Sequence, residues 1–325
     1  MKLLQVKNLK VEFTTEQGKI LAVDDISFSI EKGQTLAIVG ESGCGKTVTA
    51  LSLLQLISAP GRIRSGQILF QGKDLLSLNA EQQRQVRGKK IAMIFQEPMS
   101  SLNPLLTIGE QVIETLLTHF PTMTRTESRL KTIDLFQQVG IPTPEKRMYD
   151  YPHQLSGGQR QRVMIAIAIS CQPDLLIADE PTTALDVTIQ AQVLNLLKEL
   201  QQKNNMGLIL ITHDLGIVAE SCNDVIVMYA GKITEIGKVD QIFYETRHPY
   251  TKGLLNSIPY FQNRKEELKT IPGLIPDLLH LPVGCRFQNR CEKAQAHCQK
   301  SEPDLTSVND QRAYACHFPL SEGLS

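Results

Sequence analysis

Residues Gly40–Thr47, GESGCGKT, constrain this chain more than any other segment. They fit the pattern G-x-x-x-x-G-K-[ST], and the flanking residues fit it too. TLAIVG, at 35–40, is a short apolar run of the kind that forms a buried parallel strand. KTVTALSLLQLI, at 46–57, places apolar residues at helical spacing. A strand, a glycine-rich turn and a helix N-terminus in that order make an anion cradle. The glycines let backbone N–H groups turn inward, and the helix dipole adds positive potential. Gly40, Glu41, Ser42, Gly43, Cys44, Gly45, Lys46 and Thr47 are therefore expected around a nucleotide's phosphates. Lys46 would reach the β and γ phosphates, and Thr47 would present its hydroxyl to Mg²⁺.

DLLIADE, at 174–180, is a matching acidic element. Its apolar run reads as a buried central strand that closes on two carboxylates. Asp179 at the strand end would hold Mg²⁺ through water. Glu180, one residue on, is placed to take a proton from an attacking water. The chain has 325 residues, 34 Lys+Arg and 34 Asp+Glu. That neutral balance lacks the basic excess of a nucleic-acid binder. No apolar run reaches the length of a membrane span. The start, MKLLQVKNLKVEF, alternates like a strand and does not read as a signal peptide, so a cytosolic protein is expected.

Several large families share these two elements, and YPHQLSGGQRQRV, at 151–163, separates them. Within it, Leu155–Gln159, LSGGQ, resembles the signature of ATP-binding cassette proteins. Ser156, Gly157, Gly158 and Gln159 open a helix there, which makes a second phosphate-binding helix end. The resemblance implies that one subunit's signature closes on the γ-phosphate held by its partner, so the working unit is a dimer. Other family elements follow in order. Gln96, in IAMIFQEP, matches the glutamine that contacts Mg²⁺ and water. ALD, Ala184–Asp186, matches the loop after the acidic element. His213, in LILITHD, matches the histidine that touches the γ-phosphate. Phe13 resembles the aromatic that stacks on adenine, with core packing as the competing reading. The implied fold is an α/β P-loop NTPase with an antiparallel β subdomain, a helical subdomain and a C-terminal cysteine-containing extension.

TIGEQVIETLLTHF and RTESRLKTIDLFQQVG carry apolar residues at helical spacing, so residues 97–155 read as the helical subdomain. In this family its groove receives a coupling helix of a membrane permease. The ATPase portion is expected at 1–237 and the extension at 238–325, irregular with short helices. RHPYT and the later stretch IPGLIPDLLHLPVGC resemble the oligopeptide and dipeptide branch. That resemblance implies the ATP-hydrolysing subunit of a bacterial importer. Implied partners are a second ATPase subunit (a related chain, or alternatively a second copy), two permease subunits and a periplasmic peptide-binding protein. The implied location is the cytoplasmic face of the inner membrane. A soluble ATPase acting on nucleic acid or ribosomes, and an importer of haem or another solute, are the alternatives.

Cys285, Cys291, Cys298 and Cys316 follow C-x₅-C-x₆-C-x₁₇-C, without the paired C-x₂-C of a zinc ribbon. Four thiolates suit tetrahedral Zn²⁺ or a [4Fe–4S] cluster. Arg286 and Arg290 are expected to lower the thiol pKa values, which favours the cluster. His297 and His317 stand beside two of the cysteines as substitute ligands. Some relatives in the resembled branch carry a [4Fe–4S] cluster in this extension. Cys44, Cys171 and Cys222 read as packing residues.

Overall fold

The computed structural model describes residues 2–97, 101–183, 185–258, 270–309 and 311–321. Pro98 of IAMIFQEP and Ala184 of ALD lie outside the described residues, as does most of the segment SIPYFQNR in the extension. In chain order the strands are β1 Lys2–Thr15, β2 Gly18–Glu31, β3 Thr35–Val39, β4 Gly61–Phe70, β5 Lys73–Asp74, β6 Ile91–Ile94, β7 Leu175–Asp179, β8 Gly207–Ile211, β9 Asp224–Tyr229, β10 Lys232–Lys238, β11 Thr306–Asn309 and β12 Arg312–Tyr314. The chain divides into two compact units. One holds residues 2–30, 35–76 and 211–325, and the other holds 31–34 and 77–210.

In the first unit, β2–β1–β4–β5 form one antiparallel-type sheet, with β1 and β4 paired along most of their length. The apolar pattern of β1 changes phase midway. Leu4 and Val6 are buried before the change, Leu9 and Val11 after it. A register shift between Lys7 and Lys10, with Asn8 at φ 48°, supplies the extra residue. Side chains alternate faces along a strand, so one inserted residue moves the inward set from even to odd positions.

The unit's other strands lie in the order β11–β12–β10–β9–β3. All five residues of β3 are buried, and β3 runs parallel to β9 from Leu36 opposite Asp224 to Val39 opposite Val227. A strand buried on both faces has no polar side, which is why TLAIV reads as a continuous apolar run. β9 turns back into β10 through Ala230 and Gly231, both at positive φ, as a tight hairpin requires. The extension is more regular than expected. β11 and β12 form a hairpin, and β12 adds to β10 with Glu235 opposite Tyr314. Strands of four and three residues carry too little alternation to be read in sequence.

In the second unit β8, β7 and β6 lie side by side, with β6 parallel to β7. Helices Ile108–His119 and Arg125–Gln138 occupy the two expected amphipathic segments. Thr107 caps the first, and Thr124 with Glu127 forms a capping box on the second. The first buries Ile108, Val112, Ile113 and Leu116, one face at helical spacing. Arg125 donates two hydrogen bonds to the Glu110 carboxylate, at 2.7 and 2.6 Å, and so ties the helices together.

Candidate functional site: a nucleotide loop and a cysteine extension

The phosphate loop connects β3 to helix Lys46–Leu53. Its glycines answer to their surroundings as well as to their own φ. Gly40 has φ 148°, and a Cβ there would stand 2.2 Å from the Met228 carbonyl oxygen. Gly45, at φ 105°, caps the helix, and its Cβ would stand 2.4 Å from the Ala22 oxygen. No other residue fits either place. Gly43 borders open space, and Ser42 and Thr47 are exposed, so the loop keeps one accessible side. Lys46 is buried, and its Nζ donates to the carbonyls of Gly40 at 2.7 Å and Glu41 at 3.0 Å. Cys44 is fully buried and burial raises its thiol pKa, which suits a packing residue.

Thr212 N–H donates to the Ile38 oxygen at 3.3 Å. Both residues lie in the loop's own unit, and the exposed His213 that follows lines one cavity with Gly40 and Glu41. Phe13 is half-buried and lies over Gly61, where a Cβ would come within 2.5 Å of the ring.

The second unit carries the acidic element. Asp179 ends β7 and is 1% exposed. Glu180 follows at φ 45°, a left-handed conformation that costs a non-glycine residue about 1 kcal/mol or more. Gln96 Nε2 donates to Glu180 Oε2 at 3.3 Å, and Thr183 Oγ1 donates to the same oxygen at 2.9 Å. The carboxylate is thus aimed by a strained backbone and two donors. Only Gln96 was legible beforehand; neither Thr183 nor the strain has a sequence signal. Ser156 caps helix Gly157–Ile169, accepting from Gln159 N–H at 3.3 Å, while the Gln159 side chain accepts from Ser156 N–H at 3.1 Å. Gly158 allows close packing, since a Cβ would meet Ile189 at 2.7 Å. Asp186 caps helix Val187–Asn204 through Ile189 N–H.

Two family profiles match the chain. One, described as ABC transporter, covers residues 23–183. The other, described as oligopeptide/dipeptide transporter, C-terminal region, covers residues 234–298. The chain is 49% identical to the dipeptide transport ATP-binding protein DppD of Escherichia coli, over 99% of its own length and 98% of the relative's. It is 51% identical to the oligopeptide transport ATP-binding protein AppD of Bacillus subtilis, over the same shares. The chain belongs to the ATP-binding subunits of ABC transporters, in their oligopeptide and dipeptide branch. Among solved structures, a dimeric post-hydrolysis state of the ATP-binding cassette MJ0796 bound to ADP and Pi matches 73% of this chain and 98% of that one. Its TM-score is 0.65 at 26% identity. The cbiO1 structure from Clostridium perfringens matches with TM-score 0.63 at 28% identity, over 75% and 91% of the two chains.

In this ABC subunit the extension is part of the phosphate loop's own compact unit. Its four expected ligands come together: Cys285, Cys291, Cys298 and Cys316 line one cavity with Pro249, Phe287 and Phe318. Cys285 N–H donates to the Cys298 carbonyl at 2.8 Å. Gly284, at φ 83°, permits that approach, because a Cβ would stand 2.3 Å from the same oxygen. Among the described residues, however, no three His, Cys, Asp or Glu side chains stand in an arrangement that could hold a metal ion.

One expectation is corrected. Arg286 and Arg290 do not lower the thiol pKa values. Arg286 pairs with Asp24 and Glu302, and Arg290 with Glu41. Burial dominates instead, and pushes Cys285 and Cys316 up to about 11. His317 lines the cavity, but its Nε2 lies 2.9 Å from the Ser301 carbonyl, while His297 is exposed. Among the described residues no helix is long and apolar enough to cross a membrane.

Proposed function

We propose that this chain is the ATP-hydrolysing subunit of a bacterial importer that takes up dipeptides or oligopeptides through separate permease subunits. The observation that carries this reading is near-full-length relatedness, at about half identity, to transport ATP-binding proteins for both peptide classes. In that role the glycine loop and the Lys46 ammonium bind the triphosphate, and His213 senses the γ-phosphate. Glu180 takes the proton from the attacking water as its oxygen bonds the γ-phosphorus and the bond to the ADP oxygen breaks. Gln96 and Thr183 hold the Glu180 carboxylate in position. Thr47, Gln96 and Asp179 would hold Mg²⁺, which neutralises phosphate charge when bound. Phe13 would contact the adenine. Ser156, Gly157, Gly158 and Gln159 present a capped helix end to a partner's nucleotide, and Asp186 would line the same site from the loop after the acidic element.

The finer assignments belong to the same proposal. Residues 1–237 form the nucleotide-binding domain, with its helical subdomain at 97–155, and 238–325 form the extension. The partner is a related but distinct ATPase chain, seated with it on two permeases at the cytoplasmic face of the inner membrane. A periplasmic peptide-binding protein delivers cargo. Cys285, Cys291, Cys298 and Cys316 would hold a [4Fe–4S] cluster, with Zn²⁺ second. What supports that donor set is that all four cysteines line one small cavity; the side chains as they stand are not arranged around a metal, so binding would require them to turn toward one point. A cluster would brace the extension or make it redox-sensitive.

Glu180→Gln tests the hydrolytic assignment. ATP turnover should fall by about 10²–10⁴-fold with ATP binding retained, read by phosphate release beside fluorescent-nucleotide titration. Turnover at the parent rate would remove Glu180 from the base's role. Peptide uptake by the intact assembly, with cargo identified by mass spectrometry, tests the substrate.

A further inference from the structure

Glu41 is a variable position of the phosphate-loop pattern, yet it is among the most tightly held residues of this loop. Its carboxylate receives two hydrogen bonds from Arg290, Nη1 to Oε2 at 2.6 Å and Nη2 to Oε1 at 2.9 Å. Its backbone N–H donates to the Tyr250 hydroxyl at 3.0 Å. Its carbonyl accepts from Lys46 Nζ at 3.0 Å and from Cys44 N–H at 3.3 Å. The two residues that grip Glu41 belong to the extension. Tyr250 lies in the RHPYT segment, and Arg290 immediately precedes Cys291.

Both are themselves fixed. Tyr250 is fully buried and stands edge-on to Tyr229, with ring centroids 4.7 Å apart. Arg290 is 7% exposed, donates through Nε to the Pro272 carbonyl at 2.9 Å, and lies 5.7 Å from the Tyr229 ring centre. A bidentate guanidinium–carboxylate pair with a buried guanidinium fixes direction as well as distance.

We infer that Arg290 and Tyr250 are positioning residues of the nucleotide site, acting through Glu41 to seat the Gly40–Glu41 carbonyls that hold Lys46. Neither touches the phosphates. They set the peptide planes on which the Lys46 ammonium rests, and so the direction from which it reaches a triphosphate. The ATPase's loop is thereby completed by the extension. The inference rests on Gly40–Thr47 being the nucleotide loop, and is independent of what the cysteines hold.

The test uses the full-length chain and a fluorescent ATP analogue. Glu41→Gln and Arg290→Lys should each weaken binding about tenfold, raising KM for ATP while kcat stays within about twofold. The double variant should be no weaker than the weaker single, because both remove one shared contact. Arg312→Lys is the control. It disturbs an equally buried arginine of the extension that pairs with Glu245 and not with the loop. It should leave ATP affinity within about twofold. Parent-like affinity in folded Glu41→Gln overturns the inference, and so does equal weakening by Arg312→Lys. If Arg290→Lys fails to fold, Glu41→Gln decides, since it leaves Arg290 in place. Absence of ATP binding by the unaltered chain would instead overturn the nucleotide-site reading, and that result needs no substitution.

Discussion

The phosphate loop and the cysteine cavity are both small concave sites in one compact unit, but they are built in opposite ways. The loop is eight consecutive residues whose recognising groups are mostly backbone N–H. The cavity takes its four cysteines from positions 285 to 316, and its recognising groups are side chains. A backbone site is made by local geometry and tolerates variety at its x positions. A side-chain site exists only when distant segments have already folded. The two sites meet at one ion pair: Arg290, beside Cys291 in the extension, reaches Glu41 of the loop, while Arg286, beside Cys285, reaches Asp24.

Four substitutions press on this contrast, from the largest effect to the smallest. Gly40→Ala should destabilise the chain by about 3 kcal/mol, because the added Cβ meets the Met228 backbone oxygen and neither backbone can yield cheaply. Denaturant unfolding measures it, and a loss below about 1 kcal/mol would show the loop to be more pliant than its contacts imply. Lys46→Ala should weaken ATP binding about fiftyfold with folding preserved, since it removes charge-assisted contacts only. Isothermal titration reads this out.

Asp24→Asn should destabilise the subunit by about 2 kcal/mol at neutral pH. Burial opposes ionisation of Asp24, but Lys10, Lys232 and Arg286 outweigh it and hold the carboxyl below its ordinary 3.8. A depressed carboxylate contributes stability above its unfolded pKa and loses it as pH falls through the folded value. The gap between parent and variant should therefore close below about pH 4. A gap constant from pH 7 to pH 3 would mean that packing, not charge, sets the contribution of this residue. Glu235 titrates in the other sense. Burial raises its pKa against hydrogen bonds from the Arg247 and His248 amides, so its contribution fades as pH rises. The smallest expected effect is that of Cys291→Ser. It should abolish bound iron in anaerobically purified protein and lower the melting temperature by a few degrees. Iron-free, colourless parent protein would remove the cluster from the proposal.

Much of the ATPase was readable because its motifs are contiguous. The strand, glycine turn and helix at 35–53 carry their own hydrophobic pattern and their own stereochemical demands. The caps at Thr107, Thr124 and Ser156 are local as well, although only the helix start at Ser156 was read from the sequence. What was not read, or was misread, lies where the determining contact is distant. The phase change in β1 follows from pairing with β4 around Asn8. The β11–β12 hairpin takes its place from β10. Arg286 and Arg290 looked like neighbours of thiols because they are neighbours in sequence, but their guanidiniums reach carboxylates 262 and 249 residues away.

By itself, the sequence determined the chemistry of the loop, the acidic strand end, the signature and the four thiols, since residue type and short spacing decide which atoms can donate or accept. Tertiary structure decided how those atoms are aimed. It put Glu180 in a left-handed conformation under two donors, gathered cysteines 31 residues apart on one cavity, and placed Arg290 and Tyr250 on Glu41. Direction depends on where the chain returns after long loops, and no local pattern encodes that.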